Sequence, residues 1–314
     1  MSKQGTNLGN WLGMICVTVL ALAASTAHAA EPLVSAKWLA ANMDKVVVLD
    51  VQAKDKDFLS KGHIPSAVLV PWKQVRGKAK EGGVDLIKML PSKASFTRLM
   101  KVSGVNNDSH VVITTSGSNS SDVFLGTRLY WQLKYYGHDE VSMLDGGNAA
   151  WALSKQALSK SAEAKPQPGN FTARAERKEL LTTTADIQSL VNQKSRNLID
   201  ARTLDYHLGL EQKKKYVFDA GHIPGSKIVP HDVLLTHGKA AKFRSAEQLK
   251  GTLTAMGVDL KSDNVTYCNS GHLGSGLWFV LHELSGNKSA KLYDGSMHAW
   301  TKGNTRPVTT FALN

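Results

Sequence analysis

Short apolar runs alternate with amphipathic segments along most of the chain. The apolar runs are rich in β-branched side chains and lack internal polar alternation, which is typical of strands buried on both faces. We predict strands at 46–51, 67–70, 110–114, 141–144, 198–201, 227–230, 265–267 and 290–293. Helical periodicity predicts helices at 35–43, 93–103, 123–136, 184–192, 245–256 and 277–284. This alternation predicts an α/β fold with mostly parallel sheets covered by helices on both faces.

The pattern occurs twice, because a series of sequence landmarks recurs in the same order. The matching segments are 46–50 with 197–200, the Gly-His-Ile-Pro sequences at 62–65 and 221–224, 103–105 with 256–258, 110–113 with 264–267, and the Asp-Gly-x-x-x-x-Trp sequences at 145–151 and 294–300. Between the copies, 154–178 is rich in Ala, Lys, Ser and Pro, which is typical of a linker or crossover strap. We therefore predict two tandem domains, at 30–153 and 179–314.

The N-terminus has the features of a secretory signal peptide covering the first 29 residues. Lys3 precedes an apolar segment at 11–24, and Ala-His-Ala at 27–29 matches a cleavage site. The apolar segment is short for a membrane span. We expect a periplasmic or secreted protein with no membrane segment after cleavage. Cleavage would also remove Cys16 and leave Cys268 as the single thiol, so that no intramolecular disulfide could form.

The chain is basic, with 38 Lys and Arg against 26 Asp and Glu and a net charge of +12 at pH 7. Basic residues cluster at 54–61, 73–80, 174–178 and 213–215. A nucleic-acid site would interleave such clusters with aromatic side chains on one element, whereas these lie in separate segments. We predict a solvated cationic surface without a nucleic-acid partner. Its field is compatible with small anionic substrates.

The segment around Cys268 carries the strongest chemical signal. A predicted strand ends just before the thiol, and a loop follows that comprises Asn269, Ser270, Gly271, His272, Leu273, Gly274 and Ser275. Backbone N–H groups of such a loop and the positive end of the next helix stabilise a thiolate. A buried structural cysteine is the alternative, but glycines three and six positions later favour a reactive thiol. Ligands of parallel α/β sheets bind beyond the carboxyl ends of the strands, where Cys268 lies.

Together these landmarks resemble the tandem-domain rhodanese family of sulfurtransferases over essentially the whole predicted mature chain. The most specific are the two Gly-His-Ile-Pro turns, the Asp200-Ala201-Arg202 strand end, the Asp-Gly-x-x-x-x-Trp endings and the loop that opens with Cys268. The resemblance implies a catalytic second domain and a silent first domain, in which Thr114 stands at the position matching Cys268.

The resemblance also implies a reaction. Members of this family take a sulfane sulfur from thiosulfate or 3-mercaptopyruvate onto the cysteine and pass it to a thiol or to cyanide, without a cofactor or a metal. The implied partners are a small anionic sulfur donor and an external thiol, cyanide or thiol-protein acceptor. An external acceptor is needed because the mature chain would have no second cysteine to resolve the persulfide.

Several positions depart from the family's pattern. Thiosulfate-type loops carry basic residues just after the cysteine, whereas Asn269 and Ser270 are neutral. Ser270-Gly271 matches the second half of the Cys-Gly-Ser-Gly sequence of mercaptopyruvate-type loops. Tyr206 stands where both types commonly carry an arginine, so a carboxylate anchor is missing. The donor stays open, with thiosulfate slightly favoured because the chain is basic and predicted to be exported.

The other candidate residues divide into site and structural roles. His272 either lies over the thiol as a cation or proton donor, or is a loop side chain facing solvent or a carbonyl. We expect Arg202, beside Asp200, to brace the loop by a salt bridge rather than to contact substrate. We expect structural roles for His63 and His222 in turns, for Asp145 and Asp294 as turn caps, for Trp151 and Trp300 in packing, and a solvated position for the lysines at 213–215.

The leading hypothesis is an exported sulfurtransferase that works through a Cys268 persulfide. The alternative is a non-catalytic or protein-fed sulfur carrier or binding module that uses the same cysteine. A phosphatase or arsenate reductase would need a Cys-x5-Arg loop, and Gly274 occupies the position of that arginine.

Overall fold

The first half of the chain folds around a parallel sheet. The computed structural model describes residues 1, 5, 30–162, 166–195 and 197–311, so the remainder of the predicted signal peptide lies outside the described residues. In chain order the elements are β1 (Leu33–Val34), α1 (Ala36–Ala40), β2 (Val46–Gln52), α2 (Asp57–Ser60), β3 (Val68–Pro71), β4 (Gly77–Glu81), β5 (Val84–Met89), α3 (Lys93–Val102), β6 (His110–Thr114), α4 (Ser120–Tyr135), β7 (Val141–Leu144) and α5 (Gly147–Leu153). Five strands pair in parallel in the order β1-β7-β6-β2-β3.

The second half repeats this arrangement. Its elements are β8 (Leu181–Thr182), α6 (Thr184–Asn192), β9 (Leu198–Asp200), α7 (Leu204–Leu208), β10 (Lys227–Ile228), α8 (Ala246–Ala255), β11 (Val265–Tyr267), α9 (His272–Phe279), β12 (Lys291–Tyr293) and α10 (Ser296–Thr301). The strands pair in parallel in the order β10-β9-β11-β12-β8. This is the order of the first sheet read from β3 to β1, so the sequence duplication is a duplication of topology. The predicted α/β fold is confirmed.

The two Gly-His-Ile-Pro turns have matching contacts. His63 Nδ1 donates to the carbonyl oxygen of Phe58 at 3.0 Å, and His222 Nδ1 donates to that of His207 at 2.7 Å. Each ring also stacks on a neighbour, Phe58 at 3.7 Å in the first domain and His207 at 3.8 Å in the second. Both histidines therefore hold turns in place, the role that the sequence predicts.

The helix after Cys268 begins earlier than its sequence predicts. Helix α9 starts at His272 rather than at 277, and a π-helical turn, Val280–Leu284, continues it. Its glycines lower helix propensity, but packing against the first domain overrides that cost. A Cβ atom on Gly276 would lie 2.2 Å from the Phe124 ring of α4, so α9 approaches α4 at a distance that only glycine allows. Among the described residues, no helix is both long and apolar enough to cross a bilayer.

A hairpin of the first domain was not predicted from the sequence. Strands β4 and β5 pair antiparallel across a turn with Gly82 and Gly83 in left-handed backbone conformations. The hairpin is rich in charged residues and shows little apolar alternation, which hides it from pattern analysis. It buries Leu86 and Met89 in the core of the second domain, against residues that include Trp300. The hairpin therefore joins the two domains.

The segment between the copies follows the first domain. The N–H of Gly169 donates to the carbonyl of Lys101 at 2.8 Å, and the N–H of Phe171 donates to that of Val105 at 3.1 Å. The Phe171 side chain is buried in the core. Of the two motif tryptophans, Trp151 packs within the first domain and Trp300 packs against the hairpin, so both have the packing roles that the sequence predicts.

Candidate active site

Cys268 lies at the bottom of a cavity between the two domains. It follows β11, the central strand of the second sheet, and its side chain is 1% exposed. The cavity has a volume of about 280 Å³. It is lined by Ser121 of the first domain and, in the second domain, by Arg202, Thr203, Tyr206, Lys213, Tyr216, His231, Cys268, Asn269, Ser270, His272 and Leu273. A small molecule that enters this cavity reaches the thiol directly.

The loop holds the sulfur with a backbone donor. The N–H of Ser270 donates to Cys268 Sγ at 3.4 Å. The N–H of Gly271 donates instead to the hydroxyl of Ser296 at 3.0 Å. Of the loop N–H groups expected to stabilise the thiolate, the structure therefore places that of Ser270 on the sulfur. A donor at this position stabilises negative charge on sulfur, whether thiolate or persulfide.

Ser296 fixes the shape of the loop, a role that the sequence analysis missed. Its Oγ accepts from the N–H groups of Cys268 at 3.1 Å and Gly271 at 3.0 Å, and donates to the carbonyl of Tyr293 at 2.8 Å. Ser296 has φ 50°, a left-handed conformation that is unfavourable for a residue other than glycine. The matching residue of the first domain is Gly147, with φ 56°. The replacement of this glycine by serine in the second domain is the sequence feature that could have pointed to Ser296.

The remaining loop residues pack the start of α9. Gly271 has φ 67°, and a Cβ atom on it would lie 2.4 Å from Arg128 Nη1, so no side chain fits there. A Cβ atom on Gly274 would lie 3.0 Å from Leu292. Ser275 Oγ donates to the carbonyl of His272 at 2.7 Å and contacts Thr127 Oγ1 of the first domain at 3.0 Å.

Arg202 is held by fixed partners and braces the loop. Its guanidinium pairs with Asp200 through Nε at 2.9 Å and Nη2 at 2.6 Å, and Nη2 also donates to the carbonyl of Gly221 at 2.7 Å. Nη1 lies 3.5 Å from Asn269 Oδ1 of the loop. Burial opposes ionisation of Asp200, but Arg202 and His207 lower its pKa to about 2. Asp200 and Arg202 therefore form an ionised pair, and the guanidinium is occupied by this contact.

His272 does not supply a cation. Its Nε2 lies 2.8 Å from the carbonyl oxygen of Ser121 in the first domain, and since a carbonyl only accepts, Nε2 carries the hydrogen. Its ring lies 4.9 Å from that of Trp72. Burial, followed by the positive charge of Arg76, lowers its pKa to about 3. Of the two roles left open by the sequence, the structure therefore favours the side chain bonded to a carbonyl.

Three cations surround the cavity, and two of them come from the first domain. Arg76 and Lys88 lie close enough to Cys268 for their charges to act on it. Lys213 lines the cavity, with Nζ 5.3 Å from the Tyr206 ring, and like the other lysines at 213–215 it is exposed to solvent, as the sequence predicts. Sequence analysis missed Arg76 and Lys88 because an interdomain contact brings them to the site.

Asp294 does more than cap a turn. Its Oδ1 pairs with Arg128 of α4 inside the protein, and its Oδ2 accepts from the N–H of Leu90 at 2.6 Å. Both partners belong to the first domain. The matching Asp145 accepts from the N–H of Phe243 in the second domain at 2.9 Å. The two motif aspartates therefore connect the domains reciprocally.

The corresponding loop of the first domain is filled by a carboxylate. Thr114 replaces the cysteine and donates to Asn148 Oδ1 at 2.9 Å. Asp122 Oδ2 accepts from the N–H groups of Gly117 at 2.6 Å and Ser118 at 3.2 Å. This loop has no thiol, and its N–H donors are already bound to a negative charge. Both features are consistent with the silent first domain that the family resemblance implies.

Comparison with known proteins agrees with this geometry. The sequence matches the Rhodanese-like domain family over residues 35–154 and again over 183–303. It is 31% identical over 288 residues to a Mycolicibacterium smegmatis protein named "Putative thiosulfate sulfurtransferase", covering 87% of this chain and 94% of that protein. It is 29% identical over 282 residues to a sulfur carrier protein, TtuD, of Thermus thermophilus, covering 86% and 93%.

The fold is also similar to a solved structure. The crystal structure of the Tum1 protein from Saccharomyces cerevisiae superposes with a TM-score of 0.76 at 22% sequence identity. The match covers 90% of this chain and 99% of that one. At this level of identity, the similarity concerns the fold.

Ser296 provides a first test of how the loop is held. Replacing Ser296 with Ala or Gly leaves two buried N–H groups without an acceptor, at a cost of about 1–3 kcal/mol each. We expect both variants to slow alkylation of Cys268 by iodoacetamide by about tenfold, because the Ser270 N–H loses its alignment with the sulfur. The Ala variant keeps the strained left-handed backbone of residue 296, whereas the Gly variant relieves it. An effect shared by both variants therefore comes from loss of the hydroxyl. Unchanged rates in both variants would show that the hydroxyl does not hold the loop.

His272 provides a second test. Because its ring is neutral, we expect His272→Ala to keep the wild-type shape of the turnover profile from about pH 5.5 to about pH 8, where an ordinary imidazole titrates. The absolute rate should fall, since the contact with Ser121 is lost. Loss of an inflection near about pH 6.5 in the variant would mean that His272 acts as a proton donor.

Proposed function

The chain belongs to the rhodanese family of sulfurtransferases, with two rhodanese-like domains in tandem, and we propose that it transfers a sulfane sulfur through a persulfide on Cys268. The observation that carries this proposal is a buried thiol with a backbone N–H at 3.4 Å, in the lining of a cavity of about 280 Å³. Such a cavity admits small donors. It also keeps bulk solvent away from the persulfide.

The reaction proceeds in two half-reactions. The Cys268 thiolate attacks the outer sulfur of the donor, the new S–S bond forms, and the donor's own bond to that sulfur breaks with its electron pair on the leaving group. The Ser270 N–H supports the charge on Cys268 before attack and the chain of two sulfurs afterwards. In the second half-reaction an external thiol or cyanide attacks the outer sulfur of the persulfide and restores the thiolate.

We propose a small anionic donor, thiosulfate before 3-mercaptopyruvate. Arg202 is bound to Asp200, and Tyr206 replaces a possible second arginine, which disfavours a carboxylate-specific site. Cations that surround the cavity favour an anion of either kind. Cys268 is the only free cysteine among the described residues, so an acceptor from outside the chain completes the cycle.

A protein-fed sulfur carrier is the second candidate function. It is supported by the similarity to a protein that is itself named a sulfur carrier. A carrier would hold the persulfide on Cys268 but turn over slowly with free small-molecule donors. Catalytic turnover with a small donor therefore separates the two functions.

Export is also a proposal, carried by the N-terminal sequence. We expect the full chain, produced in a Gram-negative host, to appear in the periplasmic fraction with Ala30 as its first residue. Ala29→Asp should block processing, because the cleavage site requires a small residue there. Full-length protein retained in the cytoplasm of the wild type would contradict export.

The persulfide itself has a direct test. Intact mass of wild-type protein, measured after brief incubation with thiosulfate and separately with 3-mercaptopyruvate, should increase by the mass of one sulfur atom. Cyanide or dithiothreitol should reverse the increase, and Cys268→Ala should not show it while remaining folded. No increase with either donor, but an increase with a persulfidated partner protein, would support the carrier function. Turnover retained in Cys268→Ala would refute the mechanism.

A further inference from the structure

The first domain delivers a charged side chain to the active site through an irregularity in its hairpin. In the β4–β5 ladder Gly77 pairs with Met89 and Lys78 pairs with Ile87, so Lys88 is an extra residue with no partner. Lys88 has φ 66°, in the left-handed region. Bulges of this kind redirect a side chain, and strained backbone is retained where it serves a site.

The bulge directs Lys88 toward Tyr216, a residue of the cavity wall. Its Nζ lies 3.3 Å from the centre of the Tyr216 ring, and Tyr216 lines the cavity. The backbone of Tyr216 is held in place, because His298 Nδ1 donates to its carbonyl oxygen at 2.7 Å. The hairpin is fixed as well, since the N–H of Ile87 donates to His298 Nε2 at 3.2 Å. His298 thus holds both sides of the contact between Lys88 and Tyr216.

Arg76 arrives at the site by a separate route. Its guanidinium lies 4.3 Å from the centre of the Trp72 ring, which in turn contacts His272 of the active-site loop. The preceding residue, Val75, is anchored through its carbonyl oxygen, which accepts from Gln132 Nε2 of α4 at 2.7 Å. Arg76 is therefore placed beside the loop by buried contacts.

Among the described residues, no carboxylate pairs directly with these cations, although the charges of Asp294 and Glu211 act on Arg76 and Lys213. Within the described ranges, neither Arg76, Lys88 nor Lys213 forms a salt bridge. Burial, followed by the charges of neighbouring cations, lowers the pKa of Arg76 to about 10 and that of Lys88 to about 8. Concentrated positive charge of this kind attracts an anion and holds it.

We propose that Lys88, together with Arg76, forms the anchor for the anionic group of the sulfur donor, so that the catalytically silent domain sets donor specificity. The proposal rests on the proposed function and extends it. Lys213 completes the set from the second domain. The shared chemistry is an anionic oxygen group on the same small molecule as a transferable sulfur: the sulfonate end of thiosulfate, bonded directly to that sulfur, or the carboxylate of 3-mercaptopyruvate, separated from it by the keto and methylene carbons.

The anchor acts on the leaving group in the first half-reaction. With thiosulfate, the Cys268 thiolate bonds to the outer sulfur, the bond between the two thiosulfate sulfurs breaks, and its electron pair leaves with sulfite. One thiolate and one dianion become one persulfide anion and one dianion, so charge balances. Negative charge moves toward the sulfonate oxygens during this step, and cations placed there stabilise it.

The test uses the full chain and two independent measurements. The first is the KM for thiosulfate and for 3-mercaptopyruvate in Lys88→Met, Lys88→Arg and Arg76→Lys. The second is the ratio of Cys268 alkylation rates with iodoacetate, an anion, and iodoacetamide, its neutral analogue. This ratio reports attraction of an anion to the site without requiring sulfur transfer. Lys78→Met is the matched control, because Lys78 is exposed on the same hairpin.

We expect Lys88→Met to raise the KM for thiosulfate by about tenfold and to lower the alkylation ratio similarly. Lys88→Arg should restore both values and Lys78→Met should change neither. A larger effect on one donor identifies which anion the anchor fits. Relative to wild type, Lys88→Arg should also gain activity as the pH rises through about 8, where Lys88 loses its charge.

The outcomes distinguish this inference from the proposed function. If thiosulfate and 3-mercaptopyruvate both fail to load wild-type Cys268, the proposed donors are wrong, while a lower alkylation ratio in Lys88→Met still supports the anion site. An unchanged ratio and unchanged KM in folded Lys88→Met would overturn the site. Thermal unfolding of each variant establishes folding, and Lys88→Arg tests the charge even if the methionine variant is unstable.

Discussion

A buried ion pair between Asp294 and Arg128 holds the catalytic apparatus together. Arg128 lies on α4 of the first domain, and its Nη1 also donates to the carbonyl of Gly271 in the cysteine loop at 3.3 Å. Asp294 binds the N–H of Leu90, just after the hairpin. The Cys268 loop, the Asp-Gly-x-x-x-x-Trp sequence that begins at Asp294 and the end of the β4–β5 hairpin are thus all connected through this ion pair. Removing one partner of a buried pair costs about 3–5 kcal/mol, because the other charge is left unpaired in the interior. The site is complete only when the two domains are docked.

The two copies show how similar loop backbones can surround a thiol in one domain and a carboxylate in the other. Both loops present N–H groups that must be satisfied when buried. In the second copy the Gly271 N–H binds the neutral hydroxyl of Ser296, which leaves the surroundings of the sulfur free for negative charge. In the first copy the N–H of Gly117 binds the carboxylate of Asp122, which already supplies that charge. The difference lies in which side chain completes the loop, and the topology is unchanged.

Local features of the sequence predict the fold and the reactive thiol. The strands at 110–114, 141–144 and 265–267 have the predicted bounds, because consecutive buried β-branched residues leave few other structures possible. Cys268 is identified by its glycine-rich loop, and Arg202 by its neighbour Asp200. Each of these signals comes from residues that are close together in the sequence, and the same residues form the strand, loop or ion pair that they predict.

The unpredicted parts depend on contacts between domains. Lys88 and Arg76 are distant in sequence from Cys268. The hairpin's packing on the second core brings Lys88 close to the thiol, and Arg76 is placed separately through its contact with Trp72. His272 is neutral because it is buried against the first domain, a fact that its loop sequence does not encode. The role of Ser296 could be suspected from the sequence only because the matching position of the first domain is a glycine, Gly147. Each case concerns an environment that the folded pair of domains creates.

The hairpin has a consequence for how the duplicated chain can evolve. Leu86 and Met89 of the first copy are core residues of the second, so the second core is completed by the first half. A mutation that deleted the first half would expose apolar residues of the second core that Leu86 and Met89 now cover. Selection for a folded second domain therefore also acts on the hairpin of the first.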